Sequence, residues 1–155
     1  MDSEVNLYLI RAEDEFLLAQ KDMQVSTEIP TKAFLGIPQE KTFFYSVIAH
    51  AYYSIFYTAK AYLLSKGIKT KIPGEHKKTY DQFRRFVMKG ALDKELLDLY
   101  EQEIIKAEAL LDIFHNEKKK RGTFTYNLKS EANKPYAQES IENARKFVSI
   151  LKDLL

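Results

Sequence analysis

The sequence predicts an all-α protein, an up-and-down four-helix bundle with one additional short helix. Three observations carry this. Five glycines and four prolines in 155 residues leave long stretches free of breakers. Along those stretches apolar residues recur at spacings of three and four, the period of one helix face. No stretch makes a convincing strand. The length, with 45% hydrophobic and 30% charged residues, predicts a single soluble domain over residues 1–155.

The first helix is expected to start near Ser3, whose hydroxyl can cap free backbone N–H groups, and to fade near Gln24. Val5, Leu9, Ala12, Phe16 and Ala19 form its inner face, and Arg11, Glu13, Asp14 and Glu15 its solvated side. Residues 25–41 hold Pro30, Gly36 and Pro38 and read as a connection. Its apolar members Ile29, Phe34, Leu35 and Ile37 are expected to tuck against the core. The second helix spans about Thr42 to Lys66 and stops at Gly67. It is apolar or aromatic nearly all round, as in a helix buried on more than one side. Its second face is a candidate contact with another subunit. His50, Tyr53, Ser54 and Tyr57 form its more polar stripe.

A basic loop, GIKTKIPGEHKK, leads to a third helix over about Glu75 to Lys89, packing through Tyr80, Phe83 and Val87 and ending at Gly90. Asp93 is expected to cap a fourth helix with Leu96, Leu97, Tyr100, Ile104, Ala107, Leu111 and Phe114 on one stripe. Pro135 opens the last helix, whose inner face is Ala137, Ile141, Ala144, Val148 and Leu151.

The absence of cysteine excludes disulfides, thiolate catalysis and Cys-ligated metals, and suits a cytoplasmic setting. The net charge of +2 is too small to indicate a nucleic-acid binder by itself. The acidic start MDSEVNLYLIRAEDEF does not resemble a signal peptide. The most apolar run, VIAHAYYSIFYTAKAYLL, carries His50, Lys60 and several tyrosines and reads as a buried helix, not a membrane span.

Candidate chemistry concentrates in KKKRGTFTYN, residues 118–127. The fourth helix's stripe continues at the same spacing to Lys118 and Arg121. A helix reaching Arg121 aims that guanidinium into the mouth of the bundle, and Gly122 then lets the chain turn. A planar cation beside the hydroxyls of Thr123, Thr125 and Tyr126 suits a phosphate clamp. Lys118, Lys119 and Lys120 add sequence-independent attraction to nucleic acid. The alternative is a solvated helix end whose cations complement the macrodipole.

Other candidates carry less. His50 reads as a satisfied core histidine and His76 as solvated. His115 has acidic neighbours, Asp112 and Glu117, but no second histidine at ligand spacing, so no metal and no cofactor is expected. Glu101 and Glu103 fall on different helix faces and make no acid–base pair. No Gly-rich phosphate loop, G-x-S-x-G or H-E-x-x-H motif occurs.

Taken in order, YLIRAEDEFLLA, AYYSIFYTAKAYLLSKGIKTK, FRRFVMKGALDKELLDLY and ANKPYAQESIENARKFVSIL resemble the HEPN superfamily, in its small stand-alone archaeal and bacterial branch. The resemblance runs from about Val5 to Leu154. It implies the four-helix bundle with an extra short helix, and a two-fold homodimer. It further implies a site at the dimer cleft and a small nucleotidyltransferase as partner in a toxin–antitoxin-type pair. Many members are metal-independent RNases marked by an arginine followed, after four to six residues, by a histidine. Carried over, the arginine is Arg121 and the histidine position holds Tyr126. Gly122 stands where a polar residue often follows the arginine. The tyrosine that toxin members carry two places past the histidine is here Leu128.

Tyrosine, with a pKa of about 10, is a poor general base near neutrality. Three functions therefore stand. One is a module that binds RNA or nucleotide at Lys118, Lys119, Lys120, Arg121, Thr123 and Thr125. Another is a metal-independent endoribonuclease using Arg121 and Tyr126. The last is a purely structural dimeric module.

Overall fold

A computed structural model describes residues 2–100, 105–126 and 133–155, with Thr125 and Tyr126 described by backbone alone. Among the described residues there are seven helices and no strand. The expectations for Glu101, Glu103, Ile104 and Leu128 lie outside the described residues.

Helix α1, Ser3–Thr27, is capped by Asp2 rather than Ser3: the Asp2 carboxylate accepts from the Glu4 N–H at 2.9 Å. Aspartate and serine are about equally good caps, so the start shifts by one residue. Val5, Leu9, Ala12 and Ala19 are buried on the expected face. Glu15, expected in solvent, is buried too, because it binds Arg11 (2.7 Å) and His50 Nδ1 (2.5 Å). The connection after α1 contains a short helix, α2, Ile29–Leu35, with Pro30 in its first turn and Gly36 at φ 69° ending it. Its apolar side chains do not tuck in. Phe34 is 89% exposed, and Ile29 and Leu35 are exposed as well. The side chain that turns inward is Lys32, whose ammonium donates to the Gln39 carbonyl at 2.6 Å.

Helix α3, Phe44–Ser65, is the centre of the molecule. It packs against α1 and against three later helices: α4 (Glu75–Met88), α6 (Ala107–Tyr126) and α7 (Lys134–Asp153). Most of its apolar surface is buried within the chain, while Ala49, His50, Tyr53 and Tyr57 stay half-buried along one stripe. Tyr52, Phe56, Phe83, Phe114 and Phe147 form the aromatic heart of the core. Phe114 meets Phe83 and Phe147 at centroid separations of 5.8 and 5.9 Å, near the distances aromatic pairs prefer.

The expected fourth helix is two helices. Helix α5, Ala91–Tyr100, precedes the break, and residues 105–106 are not helical. Asp93 lies inside α5, and its carboxylate accepts from the Ala107 N–H at 2.8 Å, capping α6. Leu97 is 54% exposed, while Leu92 and Leu96 are buried. The stripe was continuous in sequence because both helices bury apolar residues against the same core. At its far end, α6 runs straight through Gly122 to Tyr126, so no turn occurs at that glycine. Among the described residues, no helix is long and apolar enough to cross a membrane.

Candidate functional site

Three helices build a cluster around Arg121. The residue lies late on α6 and is half-buried. Its Nη2 donates to the phenol oxygen of Tyr53 on α3 at 3.1 Å. Its guanidinium carbon sits 5.4 Å from the ring centroids of both Tyr52 and Tyr53. Stacking on aromatic faces is a contact that suits the weakly hydrated guanidinium better than an ammonium. Among the described residues, no carboxylate pairs with Arg121.

His76 completes the cluster from the first turn of α4. It is not solvated. Its ring stacks on Phe56 at 4.0 Å between centroids, and Nδ1 shares a 2.8 Å hydrogen bond with the Tyr52 hydroxyl. Burial, and then the nearby Arg121 cation, push His76 below the ordinary histidine pKa, with Lys118 and Lys60 adding to the effect and Glu75 opposing it. Both effects favour the neutral imidazole. Burial pushes the Tyr52 phenol well above its usual range, against the pull of Arg121. Tyr52 is accordingly a protonated hydroxyl that fixes the imidazole through Nδ1 and leaves Nε2 for other partners.

The basic run divides by helix face. Lys118 is half-buried on the Arg121 side and contributes to the field at His76. Lys119 is exposed. Lys120 turns the other way. It binds Glu117 at 2.7 Å, Glu139 at 3.1 Å and the Ser140 hydroxyl at 3.1 Å. Glu117 is fully buried and also accepts from Ser140 (2.6 Å) and Asn143 (2.9 Å). Glu117 and Lys120 thus tie α6 to α7, and Lys120 has no free valence for a phosphate. The Thr123 hydroxyl bonds back to the Lys119 carbonyl at 3.1 Å rather than joining Arg121. Thr125 and Tyr126 continue the α6 backbone, and their side chains lie outside the described residues. Five residues along a helix is about 140° of rotation. The Arg121 and Tyr126 positions therefore lie on different faces of α6.

Sequence reasoning missed His76 and Tyr52 as members of this cluster. No local spacing links them to Arg121. The one available signal was the aromatic run on α3, which read as core and interface. His50 is a satisfied histidine, bonded to Glu15. His115 is exposed, with its ring 5.7 Å from that of Tyr80. Among the described residues no group of three His, Cys, Asp or Glu side chains is placed to hold a metal ion.

The groups gathered here are ones that can receive an anion. It offers a permanent cation held on aromatic faces, a nearby ammonium, a neutral imidazole and two phenols. In comparison with known proteins, no family model and no curated protein matches the chain.

Proposed function

We propose that this chain is a HEPN-type helical domain that binds RNA or a nucleotide through the Arg121 cluster. It would do so as a homodimer, paired with a small nucleotidyltransferase in a toxin–antitoxin-type system. The observation that carries the binding half is the Arg121 guanidinium, held by Tyr52 and Tyr53 with no carboxylate partner among the described residues. An arginine so placed keeps its remaining donors for a phosphate. Lys118 and Lys119 supply the surrounding positive field. The all-helical fold is consistent with the superfamily, and the segments between Val5 and Leu154 that resemble it support the four-helix arrangement, the dimer and the partner.

Fluorescence anisotropy with labelled single-stranded RNA tests the binding half. The wild type binds with a salt-dependent affinity, and Arg121→Ala weakens it about tenfold or more. Equal binding by both proteins refutes the site. Co-expression with a nucleotidyltransferase encoded beside it tests the partner, and co-elution of the two supports the pairing.

A second reading, metal-independent RNA cleavage, is favoured by one observation: His76 shares Tyr52 with Arg121. The 2′-hydroxyl oxygen would attack the phosphorus while giving its proton to the imidazole. The P–O5′ bond would break and its oxygen take up a proton from the imidazolium or from water, leaving a 2′,3′-cyclic phosphate. Arg121 would stabilise the phosphorane charge. Cleavage in EDTA that is lost in both His76→Ala and Arg121→Ala supports it. Activity that survives either substitution excludes it.

A further inference from the structure

A cavity of about 260 Å³ lies where the start of α1, the last turns of α3 and the loop before α4 meet. Three ammonium groups line it, Lys60 from α3 and Lys69 and Lys71 from the loop. Lys60 is the unusual one. Its side chain is 7% exposed, and lysine is almost never buried without a partner. Glu75 is that partner, and the ammonium also lies 4.6 Å from the ring centroid of Tyr8. Burial by itself disfavours the charge, but Glu75 and Tyr8 outweigh it and hold Lys60 above the ordinary lysine range. A permanent cation is thus built into the wall of the cavity.

The loop that carries the other two lysines is pinned. Gly67, at φ 79°, turns the chain out of α3. The buried hydroxyls of Thr70 and Thr79 share a 2.7 Å hydrogen bond, and the Lys78 ammonium donates to the Lys71 carbonyl at 3.3 Å. Lys69 pairs with Glu4 at 2.6 Å, whereas Lys71 is exposed and forms no ion pair with a described residue. Glu4 and Glu75 therefore neutralise two of the ammonium groups and leave the third as surplus positive charge. Leu64 and Ile68 add an apolar wall, and the Glu4 carboxylate adds an acceptor.

We propose that this cavity binds a small phosphomonoester. Lys60, Lys69 and Lys71 hold its phosphate, Glu4 accepts from a hydroxyl of the esterified alcohol, and the carbon skeleton lies against Leu64 and Ile68. Ammonium groups bind phosphate as point charges and need no fork geometry. The volume falls below the roughly 300–1,000 Å³ of drug-sized pockets, so the ligand is small. The site is separate from the Arg121 cluster and stands without it. It lies along the same side of α3, however. Tyr53, Tyr57 and Lys60 follow one another on one helix face, and Tyr8 stacks on Tyr57 at 6.2 Å. Lys60 is two turns, about 10 Å of helix, beyond the tyrosine that Arg121 binds. The phosphomonoester can therefore be the terminal phosphate of an RNA strand or a free phosphorylated metabolite.

An NMR titration of the full chain tests this, first with inorganic phosphate and then with glycerol phosphate, with folding of each variant checked by circular dichroism. The amide signals of residues 68–71 shift saturably with both, and at lower concentration with the ester. Lys71→Glu and Lys69→Glu each raise the midpoint at those signals at least about tenfold, while Arg121→Ala leaves it unchanged. Shifts that do not saturate, a midpoint indifferent to both lysine substitutions, or a response lost in Arg121→Ala instead overturns the cavity site. Loss of RNA binding in Arg121→Ala is a separate result and bears only on the function proposed above. Short RNAs with and without a terminal phosphate then distinguish the sources. A preference of about tenfold for the phosphorylated strand, erased by Lys71→Glu, assigns the cavity to a strand end. Equal affinity for the two strands, beside a retained response to glycerol phosphate, assigns it to a free ester.

Discussion

Arg121 and Tyr53 are 68 residues apart in the chain and joined by a 3.1 Å hydrogen bond from guanidinium to phenol. The contact holds a late residue of α6 against the middle of α3. It brings the one cation of the KKKR run that sits on aromatic rings next to a histidine from α4.

Replacing Arg121 by lysine keeps the charge but not the planar fork. The ammonium can neither stack on Tyr52 and Tyr53 nor offer two parallel donors. Calorimetric titration with a nucleoside monophosphate or a short RNA is expected to show roughly a tenfold loss for Arg121→Lys and a larger one for Arg121→Ala. Full recovery by lysine would show that the site reads charge alone.

The field of Arg121 is also visible at His76. Burial and that cation lower the folded-state pKa of His76 below its unfolded value. The stability this residue contributes is full above the unfolded value of about 6.5 and is lost as pH falls through the lower folded value. In an NMR titration, Arg121→Gln raises the His76 midpoint. A bound phosphate at Arg121 raises it too, so anion affinity increases as pH falls. A midpoint indifferent to both changes would contradict the shared site.

Lys119 and Lys120 are neighbours in sequence and should behave as opposites. Lys119→Ala is expected to leave stability unchanged and to lower the slope of log affinity against log salt by about one. Lys120→Ala should leave RNA affinity unchanged and destabilise the fold, because Glu117 stays buried without its cation. Loss of one partner from a buried ion pair costs about 3–5 kcal/mol, measured by urea denaturation.

Asp93 caps a helix that is not its own. Asp93→Ala leaves the Ala107 N–H without its acceptor and is expected to cost about 0.5–2 kcal/mol, with Asp93→Asn recovering most of it. Hydrogen exchange should speed up at the start of α6 and not within α3.

The sequence alone was enough for much of what depends on neighbours along the chain. The all-α class, the inner faces of α1 and α4, most of that of α7, and the ends of α3 and α4 near Gly67 and Gly90 follow from helical periodicity and turn chemistry, though on α7 it is Phe147 that is buried and Val148 that is half-buried. At several places where sequence signals failed, a distant partner had decided. The stripe through Leu96 and Ala107 ran on across a helix break that Asp93 bridges from outside. Gly122 stays helical because α6 packs onto α3 and α7, which outweighs the roughly 1 kcal/mol propensity cost of a glycine. Glu15 and Glu117 are buried because each adds, to a cation on its own helix, partners on another, His50 on α3 for one and Ser140 and Asn143 on α7 for the other. The candidate site belongs to the same class. Helical spacing and the local run KKKRGTFTYN marked Arg121 as a cation near hydroxyls. Only the packing of α3, α4 and α6 chose Tyr52, Tyr53 and His76 as its neighbours, because side chains so far apart in the chain meet through helix packing and not through any local pattern.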